Sequence, residues 1–193
     1  MLSQWRAYAD DGAGIAIGFD ESKFNVENKI PVTGLSWKIS TGLYECIYNE
    51  EEQKKIIHSL IEDCINNTKD GKSLQLFELP TKLRMFSMIM KNPAFFEERE
   101  IRLIHLPLIM LDKNKQFQLT GNISPINFMK KGDGISSYFK FPLDSIFNDE
   151  LIPEIILGPR CSVNVDDLRL LLYSNNLINT KIVRSKASYR TSC

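Results

Sequence analysis

The chain has 193 residues, 43% of them hydrophobic and 25% charged, which is ordinary globular composition at a length that suits one domain with a sizeable core. Lys+Arg and Asp+Glu number 24 each. There is therefore no net field to attract nucleic acid or an anionic membrane, although a locally basic groove remains open. With only His58 and His105, and with Cys46, Cys64, Cys161 and Cys193 far apart, the usual Cys/His zinc site is disfavoured.

No apolar run approaches the ~18 residues of a membrane span, and no basic-apolar-small leader precedes the first motif. The expectation is a cytoplasmic protein with reduced thiols and no membrane partner.

In chain order, Gln4-Trp5-Arg6-Ala7-Tyr8 brings an indole, a guanidinium and a phenol together. They form either a frayed end with Trp5 on the core edge or a pocket wall where Arg6 grips an anion and Tyr8 stacks. The mobility of termini favours the first. Ile15 to Phe19 reads as a buried strand. Gly12, Gly14 and Gly18 precede that strand, whereas a dinucleotide fingerprint needs its glycines after one.

Pro31 to Thr41 reads as loop interrupted by Trp37, and Leu43 to Tyr48 as a strand with Tyr44, Cys46 and Tyr48 on one face. Asn49 can cap a helix that opens on Glu50, Glu51 and Glu52 and buries Ile56, Ile57, Leu60, Ile61, Cys64 and Ile65. Asn66-Asn67 and Asp70-Gly71 end it, and His58 falls off its stripe. A second helix, largely buried, is expected over Thr81 to Met90, with Pro80 near its start.

Phe95 to Ile104 then packs five charges into six residues, Glu97 to Arg102. Read as a strand, it sets Glu98, Glu100 and Arg102 on one face and Ile101 and Leu103 on the other. His105 shares the apolar face and reads as a satisfied core-edge histidine. Pro107 breaks the ladder. Gln116 to Leu119 and Ser136 to Phe141 read as short strands, with Lys130 to Gly134 a loop that lacks the ending of a phosphate-binding loop. In the tail, Glu154 to Leu157 reads as a strand and Gly158-Pro159-Arg160 as a turn. A helix follows over Val165 to Tyr173, capped by Asn164 or Ser162, with Leu168, Leu171 and Leu172 inward. A strand over Lys181 to Arg184 completes a crossover unit. Arg160 is placed for an anion site or, more simply, a surface salt bridge. The fold class is α+β, a mixed and mainly antiparallel sheet with about three packed helices in a single domain.

Three segments together resemble a bacterial family known as domain of unknown function 2971. They are Gln4-Trp5-Arg6-x-Tyr8-Ala9-Asp10-Asp11-Gly12-x-Gly14-Ile15-Ala16-Ile17-Gly18-Phe19, then Lys91-x-x-x-Phe95-x-x-Glu98-x-Glu100-x-Arg102, then Glu154-Ile155-Ile156-Leu157-Gly158-Pro159-Arg160. Family members carry an upstream portion with aromatic and basic residues, so the resemblance implies an N-terminally incomplete version of the domain. An exposed sheet edge and self-association would follow from that.

Two functional expectations follow for these residues. In the first, Glu98, Glu100, Arg102, Arg6 and Lys91 form an ion network that holds the fold of a non-catalytic or sensor module, a component of bacterial stress response or phage defence. In the second, the layout is similar to that of ADP-ribosyltransferases using NAD. Glu100 is then the catalytic carboxylate and Glu98 positions it, while Arg6, Tyr8, Arg102 and Lys91 serve the substrate. No cofactor is evident under the first reading.

Overall fold

The structure, a computed structural model, describes residues 2–24, 26, 36–69, 75–143 and 150–187. Helices and small, mostly antiparallel sheets make it α+β. In chain order the elements are α1 (Leu2–Tyr8), β1 (Ile15–Gly18), α2 (Trp37–Ser40), β2 (Thr41–Glu45), α3 (Glu50–Lys69) and α4 (Gln75–Ser87). After them come β3 (Ile101–His105), β4 (Leu108–Leu111), β5 (Phe117–Thr120), β6 (Asn127–Lys131), β7 (Gly134–Tyr138), β8 (Glu154–Leu157), α5 (Val165–Ser174) and β9 (Lys181–Arg184). No helix among the described residues is long and apolar enough to cross a membrane. The chain divides into two compact units, Met1–Asn25 with Pro142–Cys193, and Val26–Phe141.

The first unit is built on β8, which pairs antiparallel with β1 and parallel with β9. α5 connects the two parallel strands, as the strand-helix-strand rhythm of the tail predicts. The Asn164 side chain accepts from the N–H groups of Asp166 and Asp167, and both acids sit in the first turn at the positive end of the helix dipole. Ile155 and Leu157 of β8 pack with Leu168 and Leu172 of α5 and with Cys161 and Leu177 to form the core.

Two burial expectations change here. Leu171 is 59% exposed, because Leu168 and Leu172, spaced one turn apart, already define the inner stripe. β1 is an edge strand, so Ile15 and Ile17 are substantially exposed where a buried strand was expected.

The glycines before β1 serve backbone contact. Gly158 N–H donates to the Gly14 carbonyl at 3.0 Å and Arg160 N–H to the Gly12 carbonyl at 2.9 Å. Arg160 also reaches the Asp11 carboxylate at 2.7 Å, an exposed salt bridge of the simpler kind anticipated.

In the second unit β2 and β3 pair antiparallel, with Tyr44 opposite Arg102 and Gly42 opposite Ile104. Tyr44, Ile89 and Ile104 form its core, joined by Ile47, Phe86, Met88 and Leu106. Asn49 caps α3 by accepting the Glu52 N–H at 3.0 Å. On that helix Cys64 is buried, but Ile61 and Ile65 are partly exposed, so the expected stripe is only half covered.

α4 begins at Gln75 and holds Pro80 inside it, so it starts earlier than expected, and it ends at Ser87, with a turn carrying the chain to Met90. β4 with β5 and β6 with β7 are two-stranded hairpins. Lys130, Lys131 and Gly134, expected in a loop, belong to the second hairpin, whose two-residue turn begins at Gly132 with a φ of 59°. Asp70-Gly71 and part of the loop expected from Pro31 lie outside the described residues.

The charged stretch differs most from expectation. Only Ile101–His105 is strand, and Pro93–Glu98 is a 3₁₀ helix. Asn92 starts it by accepting the Ala94 N–H at 2.9 Å, with Pro93 at a first-turn position where its missing donor costs nothing. Arg99 ends it in the left-handed conformation, φ 44° and ψ 48°, its N–H capping the Phe96 carbonyl. Glu98 therefore reaches its partners from a helix end, not by strand alternation.

Candidate functional site

Four charges from the second unit meet around Glu100. Arg102, two residues along the chain, donates from Nε to Glu100 Oε1 at 2.8 Å and from Nη2 to Oε2 at 3.0 Å. Lys91 Nζ donates to Glu100 Oε2 at 2.7 Å and forms a short ion pair with Glu98. Arg102 Nη1 is used as well, donating to the Met88 carbonyl at the end of α4. Arg102 lies on the same strand face as the core residue Ile104 and opposite the buried Tyr44, which leaves its side chain half-buried. Lys91 also lies 5.4 Å from the Phe95 ring centre, a cation–π contact.

The electrostatics follow from these contacts. Hydrogen bonds from Arg102, then from Lys91, hold the Glu100 carboxyl down at about 2. Hydrogen bonds to Glu100 and Glu98 hold the Lys91 ammonium well above its usual value, and Glu100 does the same for Arg102. Two acids and two bases close on one another.

A cleft of about 400 Å³ opens beside the cluster, lined by Glu45, Cys46, Tyr48 and Phe96 together with Arg99, Glu100 and Ile101. Its inner members are tied by the backbone. Cys46 N–H donates to the Glu100 carbonyl at 2.9 Å, and Glu100 N–H donates to the Tyr48 hydroxyl at 3.0 Å. Burial pushes the Cys46 thiol up, with Arg102 opposing, so this thiol is a poor nucleophile. Cys46, Cys64 and Cys161 are all buried free thiols. Among the described residues no three His, Cys, Asp or Glu side chains stand together as a metal set.

Of the residues singled out by sequence, Lys91, Glu98, Glu100 and Arg102 come together in this cluster. Arg6 and Tyr8 belong to α1 of the first unit, where both are exposed and Tyr8 is 71% so. Trp5 between them and the chain start is buried, with its indole N–H unpartnered. Tyr48 and Cys46 are the site residues that sequence reasoning did not assign a role. Their alternation with Tyr44 was the available signal. Phe96 and Arg99 were missed because the segment carrying them reads as strand.

A family model described as a protein of unknown function (DUF2971) matches residues 4–103, just over half of the chain, and the chain belongs to this family. The match includes the Trp5-Arg6 segment and the whole charged cluster. Neither the curated proteins nor the solved structures contain a match.

Proposed function

We propose that this DUF2971 member is a non-catalytic module, a cytoplasmic sensor or partner domain of a bacterial stress or phage-defence system. In this reading Lys91, Glu98, Glu100 and Arg102 hold the second unit and shape its cleft. The supporting observation is that both carboxylate oxygens of Glu100 are engaged by its own chain. One carboxylate oxygen takes Arg102 Nε, and the other takes Arg102 Nη2 and Lys91 Nζ. A carboxylate held at about 2 stays ionised at neutral pH, whereas a general acid or base works best near the operating pH. The stress and defence setting rests on the family resemblance alone.

Glu100→Gln tests the proposal. It keeps the shape and removes the charge that two cations face, so the melting temperature should fall by roughly 2–4 °C for each kcal/mol lost. An unchanged melting temperature with loss of cellular toxicity or activity would transfer the cluster to catalysis.

A second reading is an ADP-ribosyltransferase-like enzyme acting on NAD. One observation favours it: Glu100 lines an open cleft. Glu100 would then stabilise developing positive charge at the ribose, positioned by Glu98. Lys91 and Arg102 would serve the dinucleotide. Nicotinamide release from NAD by the unmodified chain, abolished by Glu100→Gln, is the result this reading requires.

A further inference from the structure

The cleft beside the charged cluster has its own unused chemistry. Cys46 lines it as a buried residue, Tyr48 and Glu100 are half-buried, and Phe96 and Ile101 are left 59% and 49% exposed. At about 400 Å³ it falls at the small end of ligand sites, which run from roughly 300 to 1,000 Å³. An open aromatic face next to charged side chains suits a flat ring with polar edges better than an aliphatic chain.

Arg99 supplies the most specific observation. It holds a left-handed backbone, φ 44° and ψ 48°, at the cap position where glycine is the unstrained choice. The fold needs the backbone turn there, and glycine would provide it. An arginine at that position puts a guanidinium at the cleft, and it has no ion-pair partner among the described residues. A planar guanidinium of this kind recognises a carboxylate or phosphate through paired N–H donors.

Two further groups narrow the ligand. The Tyr48 hydroxyl already accepts from the Glu100 N–H, so its own proton is left to donate, and no described acceptor takes it. Glu45 presents an exposed carboxylate to the same cleft without a cation partner among the described residues. A bare anion would be repelled by Glu45, and a purely cationic ring by Arg99. A ring carrying both an amine donor and an anionic group satisfies both.

We propose that this cleft binds a nucleoside monophosphate with an exocyclic amine on its base. The base lies against Phe96 and Ile101 with its amine toward Glu45, and the phosphate takes Arg99. This deepens the sensor reading and rests on it, since the Glu100 ion network acts as the rigid support of the cleft.

Calorimetric titration of the full chain with adenosine 5′-monophosphate tests the assignment, with adenosine, uridine 5′-monophosphate and inorganic phosphate as controls. The monophosphate of adenosine should bind, and each control at least about tenfold more weakly, since each loses a hydrogen bond to a charged group or the stacked ring. Arg99→Gly is the informative variant. It should leave the melting temperature unchanged or raised, because glycine relieves the left-handed backbone, while weakening binding at least about tenfold. Absence of binding at millimolar concentration overturns the proposal, as does full binding by Arg99→Gly or equal binding of the uridine nucleotide. None of these results depends on the melting temperature of Glu100→Gln, so the ligand class and the structural role of Glu100 fail separately.

Discussion

Gly158 and Gly14 meet backbone to backbone, N–H to carbonyl at 3.0 Å, and there is no room for a side chain between them. A Cβ on Gly158 would lie 2.3 Å from the Gly12 carbonyl oxygen and 2.7 Å from that of Gly14. Neither oxygen can swing away, because Gly12 and Gly14 each donate to the Ala9 carbonyl at 2.9 Å. The turn before β1 and the turn after β8 are thus joined by close main-chain approach, which explains Gly158 without a phosphate ligand. Gly158→Ala should cost about 3 kcal/mol or more in urea denaturation. Arg160→Ala, which removes the exposed pair with Asp11, should cost under about 1 kcal/mol. A Gly158→Ala midpoint equal to that of the unmodified chain would refute the close-approach argument.

Arg102→Lys separates geometry from charge. Lysine keeps the positive charge but loses the two-pronged grip on Glu100 and the donor to the Met88 carbonyl. The cluster is partly exposed, so the full penalty of a broken buried pair is not expected. The loss should be about 1–3 kcal/mol. A double-mutant cycle with Glu100→Gln should show strong coupling, and additive losses would mean that the pair does not act as a unit.

Acid should loosen the same cluster in a defined direction. The folded-state value of Glu100, about 2, lies below the ordinary glutamate value of 4.5. The unfolded chain therefore takes up the proton first as pH falls. Stability from this group is fully present above about pH 4.5 and is lost as pH falls toward about 2. The Glu100 side-chain carboxyl carbon, followed by NMR, should remain in its ionised state through pH 4. A midpoint at or above 4.5 would show that Arg102 and Lys91 do not hold it.

Much of this was legible because single side chains carry local physics. Asn49 and Asn164 announce their helices by a short oxygen acceptor before acidic first turns, and both cap as expected. The charged cluster was legible too, since Glu100, just before β3, and Arg102 within it are two residues apart and share a side of the extended chain. Glu98 was placed in the right company for the wrong reason. Its spacing from Glu100 mimics a strand, but Asn92-Pro93 starts a 3₁₀ turn that overrides the alternation. Arg99 could not be read at all, because only a glycine advertises a left-handed cap. The strand Leu108–Leu111 was missed for a different reason: a four-residue apolar run has no period by which to identify it.

His105 gives the last prediction. Its Nε2 accepts the Ile123 N–H at 3.1 Å, so the neutral ring carries its proton on Nδ1 and donates to Thr41 Oγ1 at 2.8 Å. The ring also packs edge-on against Phe139, 5.1 Å between centres. Protonation would set a second N–H against the Ile123 N–H and place a charge beside the fully buried Thr41. Burial accordingly lowers the His105 value from 6.5. Since the unfolded chain protonates first, this stability is present above about pH 6.5 and is lost as pH falls below it. The urea midpoint should therefore decline from pH 7 to about 5.5. His105→Gln should flatten that decline, because the amide does not titrate. An equally steep decline in His105→Gln, or an imidazole midpoint at or above 6.5 by NMR, would show that the ring is not held neutral by its contacts.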